Sequence, residues 1–212
     1  MSAPSILVLP GYGDSGDEHW QSRWEAADPR LRRVVQRDWL EPKLDDWLIT
    51  LDRAVSACAT PPVLVAHSLG CILVAHWAGR TRGRAGGALL LAPVDLDAAA
   101  NLVDTVDSFR PVPLVRLPFR SVVVASDDDP YTTAARAEKF ARGWGSRFVA
   151  VHGAGHINSD SGYGEWPQGR ALLDELAGPL APARPSTRAR EPGRPRPPRR
   201  WSRSPLRPPR SR

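Results

Sequence analysis

Six short apolar runs, at residues 5–9, 33–37, 63–65, 87–93, 121–126 and 147–151, punctuate the chain. Val63-Leu64-Val65 and Leu89-Leu90-Leu91 are apolar at every position, the pattern of strands buried on both faces. Between the runs the period changes. Residues 44–57 place Leu44, Trp47, Leu48 and Leu51 along one side of a helix. Residues 18–27 carry Trp20 and Trp24 four apart, on a shared face where core packing is the default role. Further helices are predicted over 71–79, closing at Gly79, and over 132–142 and 167–177. Residues 94–120 are mixed, with a short helix predicted near 98–106 and a proline-broken loop after it.

Strand alternates with helix six times. That alternation predicts a parallel sheet covered on both faces, an α/β chain folded as a three-layer α/β/α sandwich around a mostly parallel six-stranded sheet. Sites in such sheets form beyond the C-terminal ends of the strands, near the point where strand order reverses. The polar residues able to do chemistry gather at those ends. Ser68 follows the third run, Asp127, Asp128 and Asp129 follow the fifth, and His152 and His156 follow the sixth.

Ser68 stands on the tightest of these turns. The strand before it leads directly into Cys71-Ile72-Leu73-Val74-Ala75-His76-Trp77-Ala78-Gly79, and small residues flank it at Ala66 and Gly70. A sharp strand-to-helix turn lifts a serine hydroxyl out of the sheet beside the new helix N-terminus. The backbone N–H of Leu69 is then free to face a developing oxyanion. Ala66 occupies a position where glycine is usual, and its methyl tightens the contact between helix and strand. The plainer alternative is a serine that caps a helix. After the first run, Pro10-Gly11-Tyr12-Gly13-Asp14-Ser15-Gly16 lacks the Lys-Ser/Thr ending of a phosphate-binding loop; its glycines, Gly11 first, let the backbone approach a substrate closely.

Charge redraws the domain boundaries. The 212 residues carry a net charge of +6, but residues 181–212 hold eleven arginines against the single acid Glu191, which leaves residues 1–180 at −4. The basic character thus belongs to a Pro/Arg-rich tail, predicted to be disordered, and one folded domain spans 1–180. The tail would attract polyanions weakly; specific nucleic-acid binding is not expected. Two cysteines, Cys58 and Cys71, suggest neither a disulfide framework nor a metal site. No basic start precedes the first apolar run and no run is long enough to span a membrane, so a cytoplasmic setting is expected.

A serine hydroxyl needs a base, and the base needs an orienting carboxylate. Ser68, an aspartate among 127–129 and His156 occur in the chain order of α/β-hydrolases. With His67-Ser68-Leu69-Gly70, Ser126-Asp127-Asp128-Asp129-Pro130-Tyr131 and Gly153-Ala154-Gly155-His156-Ile157-Asn158, the chain resembles the small lidless serine hydrolases typified by retinoblastoma-binding protein nine and its bacterial relatives. His19-Trp20-Gln21-Ser22-Arg23-Trp24, Asp38-Trp39 and Gly162-Tyr163-Gly164-Glu165-Trp166-Pro167 add to the likeness, which covers about residues 4–177. The resemblance implies a minimal α/β-hydrolase fold without a lid and an esterase- or amidase-type activity on small molecules. It implies Ser68 as nucleophile, His156 as base and Asp129, the aspartate before proline, as the acid; Asp127 and Asp128 compete for that role, and His152 for the base. Leu69 and Tyr12 would supply the oxyanion N–H groups and Gly11 would approach substrate; Trp166, close in sequence to His156, is read as a further substrate contact. Neither a cofactor nor a metal is called for. The alternative from another class is a binding or scaffold protein on the same fold with weak or no turnover.

Overall fold

The computed structural model describes residues 4–81, 84–97 and 104–178. Six strands, β1 (Ile6–Leu9), β2 (Leu31–Arg33), β3 (Val63–His67), β4 (Gly87–Leu91), β5 (Ser121–Ser126) and β6 (Arg147–Val151), form one sheet in the order β2-β1-β3-β4-β5-β6. All five strand pairs are parallel. Five helices flank it: α1 (Trp20–Ala27), α2 (Leu44–Ser56), α3 (Leu69–Thr81), α4 (Ala134–Trp144) and α5 (Pro167–Ala177).

Strand side chains alternate between two cores. Leu7, Leu9, Leu64, Ala66, Leu90 and Val123 pack with α2, α3 and α4. Ile6, Val8, Val65, Leu89, Leu91 and Val124 pack with α1 and α5. This two-residue period, apolar on both faces, is what makes the central strands continuous hydrophobic runs. The chain steps outward from β1 to β2, then crosses back to β3. Strand order therefore reverses between β1 and β3, and a crevice opens beyond their C-terminal ends.

Several element limits shift by two residues from the sequence expectation, and three departures change the picture. The second strand is Leu31–Arg33 rather than 33–37: Val8 pairs with Arg33, Val34 closes the ladder by donating to the Val8 carbonyl, and Val35 turns out to solvent at 68% exposure. The helix after Ser68 runs through Gly79 to Thr81. Between β4 and β5 the described residues form a six-residue 3-10 helix, Asp104–Phe109, which buries Val106 and Phe109. The rest of the helix predicted near 98–106 and the tail over 181–212 lie outside the described residues. Among the described residues no helix is long and apolar enough to cross a membrane.

Candidate active site

The end of β3 and the start of α3 meet at Ser68, whose φ of 52° lies in the left-handed region that non-glycine residues rarely occupy. The strain is held by neighbours on both sides. The Ser68 N–H donates to the Leu91 carbonyl at 3.0 Å, and its own carbonyl accepts from Cys71 N–H at 2.9 Å. The turn needs room. A Cβ on Gly70 would overlap the Leu9 carbonyl oxygen, and one on Gly11 would stand 2.8 Å from Ser68 Cβ. The two glycines thus let the loop after β1 press against the serine turn. Ala66 is accommodated, fully buried, with the Cys71 thiol donating to its carbonyl at 3.4 Å. Burial pushes the Cys71 thiol up, away from the reactive thiolate form.

The opposite wall comes from the loop after β6. Asp127, Asp128 and Asp129 each grip it at a different point. Asp127 accepts from His152 Nδ1 at 2.6 Å and from Gly153 N–H at 2.9 Å. Asp128 accepts from Ser126 Oγ at 2.5 Å and from Gly155 N–H at 2.7 Å. Asp129, its carboxylate wholly buried, faces His156 Nδ1 at 2.9 and 3.0 Å through its two oxygens. The Tyr131 N–H also donates to Asp129 at 2.8 Å and fixes the carboxylate plane. The hydrogen bonds hold the Asp127 and Asp128 carboxyls below their usual range. The three aspartates therefore do not compete for one histidine: only Asp129 meets His156, and His152 stands on the surface with Asp127.

Ser68, Leu69, Gly11, Tyr12 and His156 line one cleft of about 440 Å³, within the range of small-molecule sites. Val94, Leu96 and Val106 give it an apolar wall. The Leu69 N–H lies in the first turn of α3, where N–H groups lack intrahelical acceptors. The hydrogen bonds of the described residues include none between Ser68 Oγ and His156, a contact that in such sites often tightens only with substrate bound. Among the described residues no group of three or more His, Cys, Asp or Glu is placed to hold a metal ion.

Trp166 stands apart from these cleft residues. It is absent from the cleft wall; it sits 7% exposed at the start of α5, stacked on Trp24 and edge-on to Trp20 and Tyr163. Nearness in sequence to His156 suggested a substrate contact, but the chain turns back into the core before reaching it.

Several residues outside the predicted site position it, among them the two tryptophans assigned to packing. Trp20 Nε1 donates to the carbonyl of Ile157 at 2.8 Å, and Trp24 Nε1 to that of Glu165 at 2.9 Å, so α1 ties down the loop that carries His156. His67 Nε2 donates to the His156 carbonyl at 2.8 Å. Burial, then the nearby His156 and His19, pushes His67 well below the ordinary histidine value, so it is a neutral donor. Gln21 bridges the reversal point: its amide nitrogen donates to the carbonyls of Leu9 and Val65, and its oxygen accepts from Ser15. Arg33 holds the glycine loop through Asp14 at 2.8 Å while binding Glu25 of α1 at 2.6 Å. The signal for Trp20 lay only in its polar indole nitrogen, which a buried tryptophan must satisfy.

A family model described as serine hydrolase matches residues 6–175. The YdeN protein of Bacillus subtilis is 25% identical over an alignment 171 residues long that covers 76% of this chain and 90% of that protein. The crystal structure of a YdeN-like protein from Pectobacterium atrosepticum is similar with a TM-score of 0.74 and 32% identity, covering 85% of this chain and 94% of its own. Carboxylesterase CesB of Bacillus subtilis shares the fold at a TM-score of 0.56 and 14% identity, over 84% of this chain and 85% of that one. The architecture is thus that of the α/β-hydrolases.

Proposed function

Because the chain belongs to the serine hydrolase family, and is by that membership an enzyme of hydrolase type, we propose that it cleaves small carboxylic esters, with amides the neighbouring acyl class, through an acyl-enzyme on Ser68. One observation carries this reading: a serine in a strained positive-φ turn shares a cleft with a histidine whose Nδ1 is held by a buried carboxylate. Asp129 fixes the His156 proton on Nδ1, which leaves Nε2 as the base. His156 takes the Ser68 proton as Oγ attacks the acyl carbon. The N–H groups of Leu69 and Tyr12 receive the charge that develops on the carbonyl oxygen. The imidazolium then gives its proton to the departing alcohol, and water repeats the sequence to release the acid. Gly11 shapes the approach of the acyl group, and the apolar wall of Val94, Leu96 and Val106 suits a short chain. The narrower likeness to retinoblastoma-binding protein nine rests on the quoted motifs, and a cytoplasmic setting belongs to the same reading.

The test is covalent labelling by a fluorophosphonate, which requires an activated serine, alongside hydrolysis of p-nitrophenyl esters of graded chain length. Labelling should map to Ser68, vanish in Ser68→Ala, and accompany turnover highest on short chains with no rise above the micelle threshold. A folded protein that takes up no label at Ser68 would instead be a binding protein on a hydrolase fold.

A further inference from the structure

The proposed acyl transfer gives no role to several polar side chains of the cleft, and His19 is a deeply set histidine among them. His19 lines the cleft at 5% exposure, between the glycine loop and α1. Its Nδ1 accepts the Gln21 N–H at 3.2 Å and so caps α1. A ring nitrogen that accepts carries no proton, so the neutral ring bears its proton on Nε2. Among the described residues Nε2 has no hydrogen-bond partner, and it is not one of the unsatisfied atoms sealed from solvent. It is a donor, fixed by its own cap, on a side chain that lines the cleft.

We propose that His19 is a substrate-binding residue whose Nε2–H donates to an acceptor oxygen in the alcohol portion of the ester. This rests on the ester-hydrolase reading of the same cleft. The alcohol side follows from the row of imidazoles. The departing oxygen must sit at His156, which protonates it. The His67 ring lies 4.8 Å from that of His156 and 4.9 Å from that of His19, centroid to centroid, so the three rings follow one another along the cleft. A leaving group that starts at His156 and follows the row passes His67, whose N–H is already committed to the His156 carbonyl, and meets His19. The valine and leucine wall offers no donor and suits the acyl chain. Burial, then Arg33 and His156, pushes His19 down to about 4, so near neutral pH it is an uncharged donor. Its partner is a neutral oxygen, as in an ether or hydroxyl a few bonds beyond the ester. The substrate class is the ester of an oxygenated alcohol.

Two acetates of matched shape, 2-methoxyethyl acetate and n-butyl acetate, test this on the full chain. The ratio of their kcat/KM values is compared between wild type and His19→Asn. Asparagine caps helix N-termini well, so α1 keeps its cap, while its amide ends one bond short of where Nε2–H stood and no longer presents a donor at that point. Intrinsic reactivity cancels in the comparison. The ratio should fall by about fivefold to tenfold, the effect of one neutral hydrogen bond. An unchanged ratio in a variant still labelled at Ser68 overturns the proposal. So does an equal loss on both esters with a lowered Tm, which is the mark of a cap alone. Wild-type protein that takes no label and hydrolyses neither ester would fail at the earlier step, the esterase reading, and take the proposal with it. If His19→Asn does not fold, wild type answers directly: 2-methoxyethanol should slow Ser68 labelling at lower concentration than n-butanol, and equal protection counts against His19.

Discussion

Asp127, Asp128 and Asp129 have the same side chain and differ only in what their backbone positions let them reach. Asp127 reaches a surface histidine, Asp128 a loop N–H, and Asp129 the imidazole of His156 in the cleft. Substitution by asparagine separates them. Asp129→Asn leaves the shape and removes control of the imidazole tautomer, and kcat should fall by about four decades. Asp128→Asn keeps an oxygen for Gly155 N–H, and Asp127→Asn loosens a contact open to solvent; each should cost less than about tenfold. Turnover of the three purified variants, checked for folding by circular dichroism, settles the assignment. If Asp127→Asn or Asp128→Asn is as damaging as Asp129→Asn, Asp129 is not the acid. The sequence alone left three candidates and one preference, because three adjacent carboxylates differ only in which loop atom each can reach once folded.

At the scale of elements, the limits of β5, β6 and α5 were legible residue by residue, since turn residues bound each of them sharply. The second strand was not. Val34 and Val35 look alike in sequence, but only Val34 turns inward. An edge strand of three residues leaves too little alternation to set its register. The serine turn was legible because its glycines stand where close approach demands them. The tie from α1 to the histidine loop was not, because it links Trp20 to a carbonyl 137 positions away. That tie makes a prediction about the element it holds. Trp20→Phe keeps an aromatic ring beside Trp24 and removes the donor to Ile157, a residue at φ 48° that nothing in its own backbone favours. The loop carrying His156 should loosen. We expect a stability loss of about 1–3 kcal/mol by urea unfolding, from the lost hydrogen bond and the smaller ring. A fall in kcat of about tenfold should accompany it, with KM little changed. A variant that loses stability but keeps full kcat would show that the tie serves packing and not the base.

For the whole molecule, the same economy of space that places imidazoles around the cleft should set how the fold responds to acid. His19 is pushed down to about 4, His67 lies well below the ordinary value, and His76, half-buried on α3 with its Nε2 donating to the Phe109 carbonyl, is also lowered. Burial is the leading cause in each case; Arg33 and His156 add to it for His19, His156 and His19 for His67, and Arg80 for His76. In the unfolded chain all three titrate near 6.5. Between that value and about 4 the unfolded chain therefore binds more protons than the folded one, and stability must fall as pH falls. The depressed carboxyls act in a different window. Burial pushes Asp28 up, but the hydrogen bonds from Arg30 and Arg170 outweigh it and hold the carboxyl below its usual value, so its contribution is lost only as pH drops beneath about 4. The histidine loss comes first. The His19 share is on the order of 3 kcal/mol, at 1.36 kcal/mol per pKa unit. Urea midpoints measured at pH 7.5, 6.5, 5.5 and 4.5 should hold steady across the first interval and then decline. His19→Asn, which has no imidazole to protonate at that position, should decline less steeply than wild type. A wild-type midpoint that stays level down to pH 4.5 would mean that these imidazoles take up protons in place, and that the cleft is far more open to water than its packing indicates.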